Sequence, residues 1–151
     1  MDATTRPSPD AGRTIDALTA LLHGERSAVE TYTQAIAKFG AEAPYELNDC
    51  QRSHRDRVER LVRRLAELGG HPPDGSGLWG TFAKLVEGGA ALFGRANALA
   101  ALEEGEDHGI ATYRERLDDV DGESRRLIEA ELLPAQLMTH DVMRNLCRAA
   151  A

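Results

Sequence analysis

Several things are scarce in this 151-residue sequence, and each scarcity excludes a class of protein. It has two cysteines, Cys50 and Cys147. That is too few for a disulfide scaffold, and no Cys-x-x-Cys pair offers a zinc or thioredoxin-type site, so the expectation is a reduced, cytoplasmic protein. Aromatic residues make up only 5% of the chain, while Ala, Leu, Glu and Arg abound, a balance that favours helices. No apolar run is long enough to cross a bilayer, since the most apolar stretch, Leu78 to Phe93, is broken by Lys84 and Glu87. Met1 to Arg13 likewise has no hydrophobic segment of the kind a signal peptide needs. Positive charge is short as well, with 18 basic residues against 25 acidic ones and a net charge of −7, which excludes generic nucleic-acid and anionic-membrane partners. The excess is local: residues 96 to 123 hold nine acids and two bases.

What is present is helical periodicity in four long stretches separated by breakers. Helix A is expected from about Thr14, a suitable N-cap, to Phe39 before Gly40, and helix B from Pro44 to Gly69-Gly70. Helix C is expected over about Asn97 to Asp118. Asp121-Gly122 then turns the chain into helix D, Ser124 to about Arg148, with a kink at Pro134. Short A-to-B and C-to-D connections make each pair an antiparallel hairpin. The segment of about residues 71–95, with Pro72-Pro73, six glycines and a short helix over Leu78 to Glu87, is long enough to cross the length of a bundle. Residues 1–13 read as a disordered tail and 14–151 as one all-α four-helix domain. Trp79, Phe82 and Leu85 in the crossover, or the helix faces, would serve core packing or a homo-oligomer contact.

The inward stripes turn polar at matching places. On helix A, Ile15, Leu18, Leu22, Glu25, Val29, Tyr32 and Ile36 follow a three-four spacing with Glu25 interrupting an apolar seam. On helix B, Gln51 and His54 occupy the stripe through Leu47, Val58, Leu61 and Leu65, and on helix C, Glu106 follows Leu99 and Leu102, with Tyr113 seven residues on. Helix D carries two competing stripes, one through Ile128, Glu131, Ala135 and Met138, the other through Leu133, Gln136, His140 and Met143. Counting back from each turn puts Glu25 level with His54 and Glu106 level with His140, to within about a turn. The hairpins thus look like a degenerate repeat, Glu-x6-Tyr followed by a helix with an inward His. Buried carboxylates cost several kcal/mol each unless neutralised, paired or metal-bound. Two Glu and two His converging from four helices would suit one divalent Fe, Mn or Zn ion, with Tyr32, Gln51 and Tyr113 orienting the ligands. Without metal, Glu25 and Glu106 are expected to resist ionisation and titrate high. The arginine run Arg52 to Arg64, interleaved with Asp49, Asp56, Glu59 and Glu67, reads as a salt-bridged helix face. Gly105 and Gly109 suggest a close helix approach or a distortion beside Glu106.

On Glu25-x6-Tyr32, His54, Glu106-x6-Tyr113 and His140 the sequence resembles the ferritin-like superfamily of carboxylate-bridged di-iron and di-manganese bundles, over Thr14 to Arg148. It is most similar there to an uncharacterised bacterial ferritin-like family, through Ser53-His54-Arg55-Asp56-Arg57, Leu78-Trp79-Gly80 and Ala101-Leu102-Glu103-Glu104-Gly105-Glu106-Asp107-His108. The resemblance implies a bundle of two hairpins joined by one crossover, with Glu25, His54, Glu106 and His140 as metal ligands and, with iron, oxygen-linked redox chemistry. A full dinuclear site takes a Glu-x-x-His pair from each of two helices. Here those pairs are Gln51-x-x-His54 and Leu137-x-x-His140, so only Glu25 and Glu106 would face the charge of two ions; one metal ion or none is expected. The reading from a different class is a non-enzymatic helical interaction or stress-associated module, in which the former ligands form a hydrogen-bonded polar core.

Overall fold

The computed structural model describes residues 10–72 and 94–151, which form helices and no strand. Helix α1 spans Ala11–Phe39 and is followed by a 3₁₀ turn, Gly40–Glu42; α2 spans Tyr45–Glu67. Helix α3 spans Arg95–Arg116 and ends in a 3₁₀ turn, Leu117–Asp119. The fourth rod is α4, Gly122–Leu127, continued by a π-helical turn, Ile128–Leu132, into α5, Leu133–Ala150. The expected crossover helix and the first nine residues of the expected tail lie outside the described residues. Among the described residues, no helix is long and apolar enough to cross a membrane.

The helix ends follow from local chemistry. Helix α1 begins earlier than expected because Asp10, not Thr14, is its N-cap: the Asp10 carboxylate accepts from the backbone N–H of Arg13 at 2.7 Å. Thr14 is instead buried inside the helix, and its hydroxyl accepts the backbone N–H of Asp121 at 3.0 Å. The chain leaves α1 at Gly40 with φ of 58°, a left-handed conformation that favours glycine. Asp121 caps α4 by accepting from the Ser124 N–H at 2.7 Å, and it also binds Arg64 at 3.0 Å. Burial tends to raise the Asp121 carboxyl, but the bonds from Ser124 and the charge of Arg64 hold it below the ordinary range.

Helix α1 packs on α2 and on α3, and α5 packs on α3 and α2, closing a four-membered ring of helices. Residue numbers run in opposite directions between α1 and α3, where Tyr32 meets Glu106 and Glu25 meets Tyr113, so these neighbours are antiparallel. Since α1 is antiparallel to both, α2 and α3 run parallel. Two apolar clusters fill the bundle. One gathers Leu18, Leu22, Leu61, Leu65, Ile128 and Leu132, the other Leu47, Leu99, Leu102 and Met143. The polar positions singled out in the sequence lie between them.

Where a kink at Pro134 was expected, the structure has a π-helical turn just before it. In the π turn the N–H of Leu133 reaches back to the carbonyl of Ile128, five residues earlier, and Pro134, which has no N–H to donate, sits in the first turn of α5. One extra residue is thereby absorbed and the helix rotates in phase. The buried positions become Ser124, Ile128, Leu132, Gln136, Thr139 and Met143.

Candidate functional site: a buried carboxylate, histidine and arginine cluster

Glu25 on α1, His54 on α2 and Glu106 on α3 meet at mid-bundle, each no more than 3% exposed. The His54 imidazole lies between the carboxylates, with Nδ1 at 2.6 Å from Glu25 Oε2 and Nε2 at 2.9 Å from Glu106 Oε1. The tyrosines cross over. Tyr32, in the helix of Glu25, donates to Glu106 at 2.6 Å, and Tyr113, in the helix of Glu106, donates to Glu25 at 2.5 Å. Two copies of Glu-x6-Tyr on antiparallel helices thus satisfy one another. Burial first, then the adjacent carboxylate, pushes both phenols well above their ordinary pKa, so they remain O–H donors.

The decisive member was not among the expected site residues. Arg57, three positions after His54, is 1% exposed. Its Nε donates to Glu25 Oε1 at 2.8 Å, Nη1 to Ser53 Oγ at 2.9 Å, and Nη2 to Gln136 Oε1 at 3.0 Å. Nη2 also lies 2.6 Å from His54 Nδ1. The arginine run does carry ion pairs, but two of its members are buried: Arg57 on Glu25, and Arg64 on Ser124 and Asp121. Arg60 is an exposed member, paired with exposed Asp56 and Glu131.

Helix α5 supplies Gln136 and Thr139, which each donate to Glu106 Oε2 at 2.7 Å. His140 does not join them. Thr139 faces inward, and His140, the next residue around the helix, meets Asp107 at 2.7 Å near the surface, where the Asp107 side chain is 67% exposed. Gln51 is buried but turns to α1, donating to Thr33 Oγ1 at 2.6 Å rather than to either carboxylate. The expectation that Glu25 and Glu106 would titrate high is overturned. Burial raises Glu25, but Arg57, His54 and the Tyr113 bond outweigh it and hold the carboxyl at about 2. Burial likewise raises Glu106, and His54 with the bonds from Tyr32 and Thr139 brings it below the ordinary range. Burial pushes His54 toward the neutral form, but Glu106 and Glu25 more than offset it, so its pKa is raised, and a protonated ring would donate one N–H to each carboxylate. Its Nδ1–H then serves Glu25, and Arg57 Nη2 donates to Gln136. With the ring protonated, two anions meet two cations and the cluster is neutral.

A profile described as a domain of unknown function, DUF2383, matches residues 13–119, most of the chain. The chain belongs to the DUF2383 family. Glu25, Tyr32, His54, Arg57, Glu106 and Tyr113 all fall within the part that defines this DUF2383 domain, whereas Gln136 and Thr139 lie beyond it. No curated protein and no solved structure matches the chain.

A metal ion in this DUF2383 bundle would need lone pairs converging on one point. His54 instead turns one ring nitrogen to each carboxylate, and the Arg57 guanidinium stands against Glu25 and His54. Among the described residues, no three His, Cys, Asp or Glu side chains are grouped to hold a metal. The residues present do not fit the ion in this arrangement. Thiol chemistry is no substitute, because burial and then Glu106 push the Cys50 thiol up to about 12.

Gly109 is where the bundle needs closeness. A Cβ there would stand 2.5 Å from Gln136 Nε2 and 2.9 Å from its Cδ. Gln136 cannot retreat without giving up its bonds to Glu106 and Arg57. Gly109→Ala, ordinarily a gain of about 1 kcal/mol in helix propensity, is therefore expected to destabilise the fold by about 1–3 kcal/mol. Urea denaturation measures this, and a stabilised variant would refute the contact.

Proposed function

We propose that this DUF2383 protein is a ferritin-like four-helix bundle that acts as a non-enzymatic helical module, in which the carboxylate and histidine positions of a metal site serve as an internal ionic tie. The observation that carries the reading is the Arg57 guanidinium bound to Glu25 inside the cluster. Its charge and that of the imidazolium balance Glu25 and Glu106, so a divalent ion would add two uncompensated charges to a dry site. The ferritin-like topology is supported by the antiparallel α1–α3 pairing and the parallel course of α2 and α3, as one crossover between two hairpins requires.

Elemental analysis of protein purified without chelator tests the reading, with a Glu25→Ala, Glu106→Ala double variant beside it. Substoichiometric Fe, Mn and Zn in the wild type, with no rise in Tm on adding any of them, is expected. One equivalent of metal in the wild type, absent from the double variant, would overturn it in favour of a mononuclear metal protein.

A further inference from the structure

The corner where α3 turns into α4 carries a chemistry that the central cluster does not use. In Asp121-Gly122 the glycine puts no side chain in the way of attack by its own main-chain nitrogen on the preceding carboxyl. The fold does not call for that glycine: Gly122 has helical backbone without a positive φ, and a Cβ there would meet nothing within 4 Å. Asp121, in contrast, is held at every polar group. Its N–H donates to Thr14 Oγ1 at 3.0 Å and its carbonyl accepts from the Arg125 N–H at 2.8 Å. Its carboxylate accepts from the Ser124 N–H at 2.7 Å and from Arg64 Nη2 at 3.0 Å.

We propose that Asp121-Gly122 is an isoaspartate-forming site that the Arg64 clamp holds shut in the folded chain. The inference does not depend on the reading of the central cluster. In the reaction the Gly122 nitrogen bonds to Asp121 Cγ, the carboxyl OH and the N–H hydrogen leave as water, and a succinimide ring forms. Water then opens the ring at either carbonyl, which restores aspartate or leaves the main chain running through Cγ as isoaspartate. The corner opposes this in two ways. Ring closure needs the Gly122 nitrogen and Asp121 Cβ to eclipse about the Cα–C bond, and the Asp121 ψ of 168° keeps them apart. A carboxylate is also a poor electrophile, and although burial raises the Asp121 carboxyl, Ser124 and Arg64 keep it ionised. Turning the residue into the reactive shape breaks the contacts to Thr14, Ser124 and Arg64 together. Isoaspartate would then add a methylene to the main chain between the N–H held by Thr14 and the start of α4, and the cap could not re-form.

The experiment incubates the wild type, Arg64→Met, Gly109→Ala and Gly122→Ala at mildly acid pH, both folded and in unfolding urea. Isoaspartate at residue 121 is followed by peptide mass spectrometry with electron-transfer fragmentation, which counts Asp74-Gly75, outside the described residues, separately. Circular dichroism gives the folded fraction. Folded wild type is expected to convert at least about 100-fold more slowly than in urea, since only local opening exposes the reactive shape. Folded Arg64→Met should convert about tenfold faster than folded wild type, because the charged hydrogen bond to the carboxylate has gone. Gly109→Ala, destabilised away from this corner, should stay near the wild-type rate. Gly122→Ala should stay folded and convert about tenfold more slowly in urea than the wild type, a rough figure for the obstruction by a Cβ. If Arg64→Met does not fold, Arg64→Lys takes its place with a smaller rise, as the planar fork is lost and the charge kept. Folded wild type converting as fast as in urea, or the Arg64 variant converting no faster than Gly109→Ala, overturns the inference.

Discussion

Arg57→Met is expected to cost about 3–5 kcal/mol of folding stability, the range for breaking a buried ion pair from one side. Methionine fills most of the volume of arginine, so the loss is not a cavity effect. It arises because Glu25, 3% exposed, would keep only the imidazolium and the Tyr113 hydroxyl as partners. Gln136 Oε1 and Ser53 Oγ would each lose a donor as well. For a chain of this size the midpoint should fall by roughly 10 °C. Adding Glu25→Gln should return at least about 1.5 kcal/mol, since the uncompensated charge is then gone. Urea denaturation of both variants gives the numbers. A loss under about 1 kcal/mol for Arg57→Met would mean that the guanidinium does not hold the cluster together.

Stability should also have an optimum between about pH 5 and 6.5, with limbs that belong to named groups. The Glu25 carboxyl is held at about 2 against an ordinary 4.5. Its contribution is fully present above 4.5 and is lost as pH falls through 2, amounting to about 3 kcal/mol. His54 works in the opposite sense. Its folded pKa lies above the ordinary 6.5, so its contribution is complete below 6.5 and is lost as pH climbs through the raised value. Denaturant midpoints across pH 2 to 10 should trace both limbs, and His54→Gln should flatten the alkaline one and shrink the acid one, because His54 also helps to hold Glu25 and Glu106 low. An alkaline limb that is the same in His54→Gln would assign it to other groups. The shape distinguishes an imidazolium bridge from a metal-ligating histidine, which must be unprotonated to bind and would favour the alkaline side.

The helices and their ends were largely legible in the sequence, because apolar spacing and punctuation act locally. Gly40 and the Asp121-Gly122 turn stop and start helices where they stand. Glu25 and Glu106 were legible for a similar reason. A carboxylate at an apolar position of a regular stripe must be buried if the stripe is, and the repeated Tyr seven residues later placed its partner.

Arg57 was not legible in that way. A polar residue three positions from His54 can lie on the inward face or at its edge, and an arginine run mixed with acids has the same pattern whether one member is buried or none. Its burial depended on Glu25 arriving from another helix to receive it. The ionisation of the cluster followed the same course: burial alone raises a carboxyl, and only the assembled cations reversed the sign. On the fourth rod the π turn carried the inward face from the Ile128 stripe to that of Gln136 and Met143, with Thr139 rather than His140 between them. The sequence by itself determined the helices, their hairpin connections and the two inward Glu-x6-Tyr pairs, all products of short-range spacing. Which cation answers the buried carboxylates was decided only in the tertiary structure, because Coulomb energy in a dry core depends on separations between helices that no local pattern encodes.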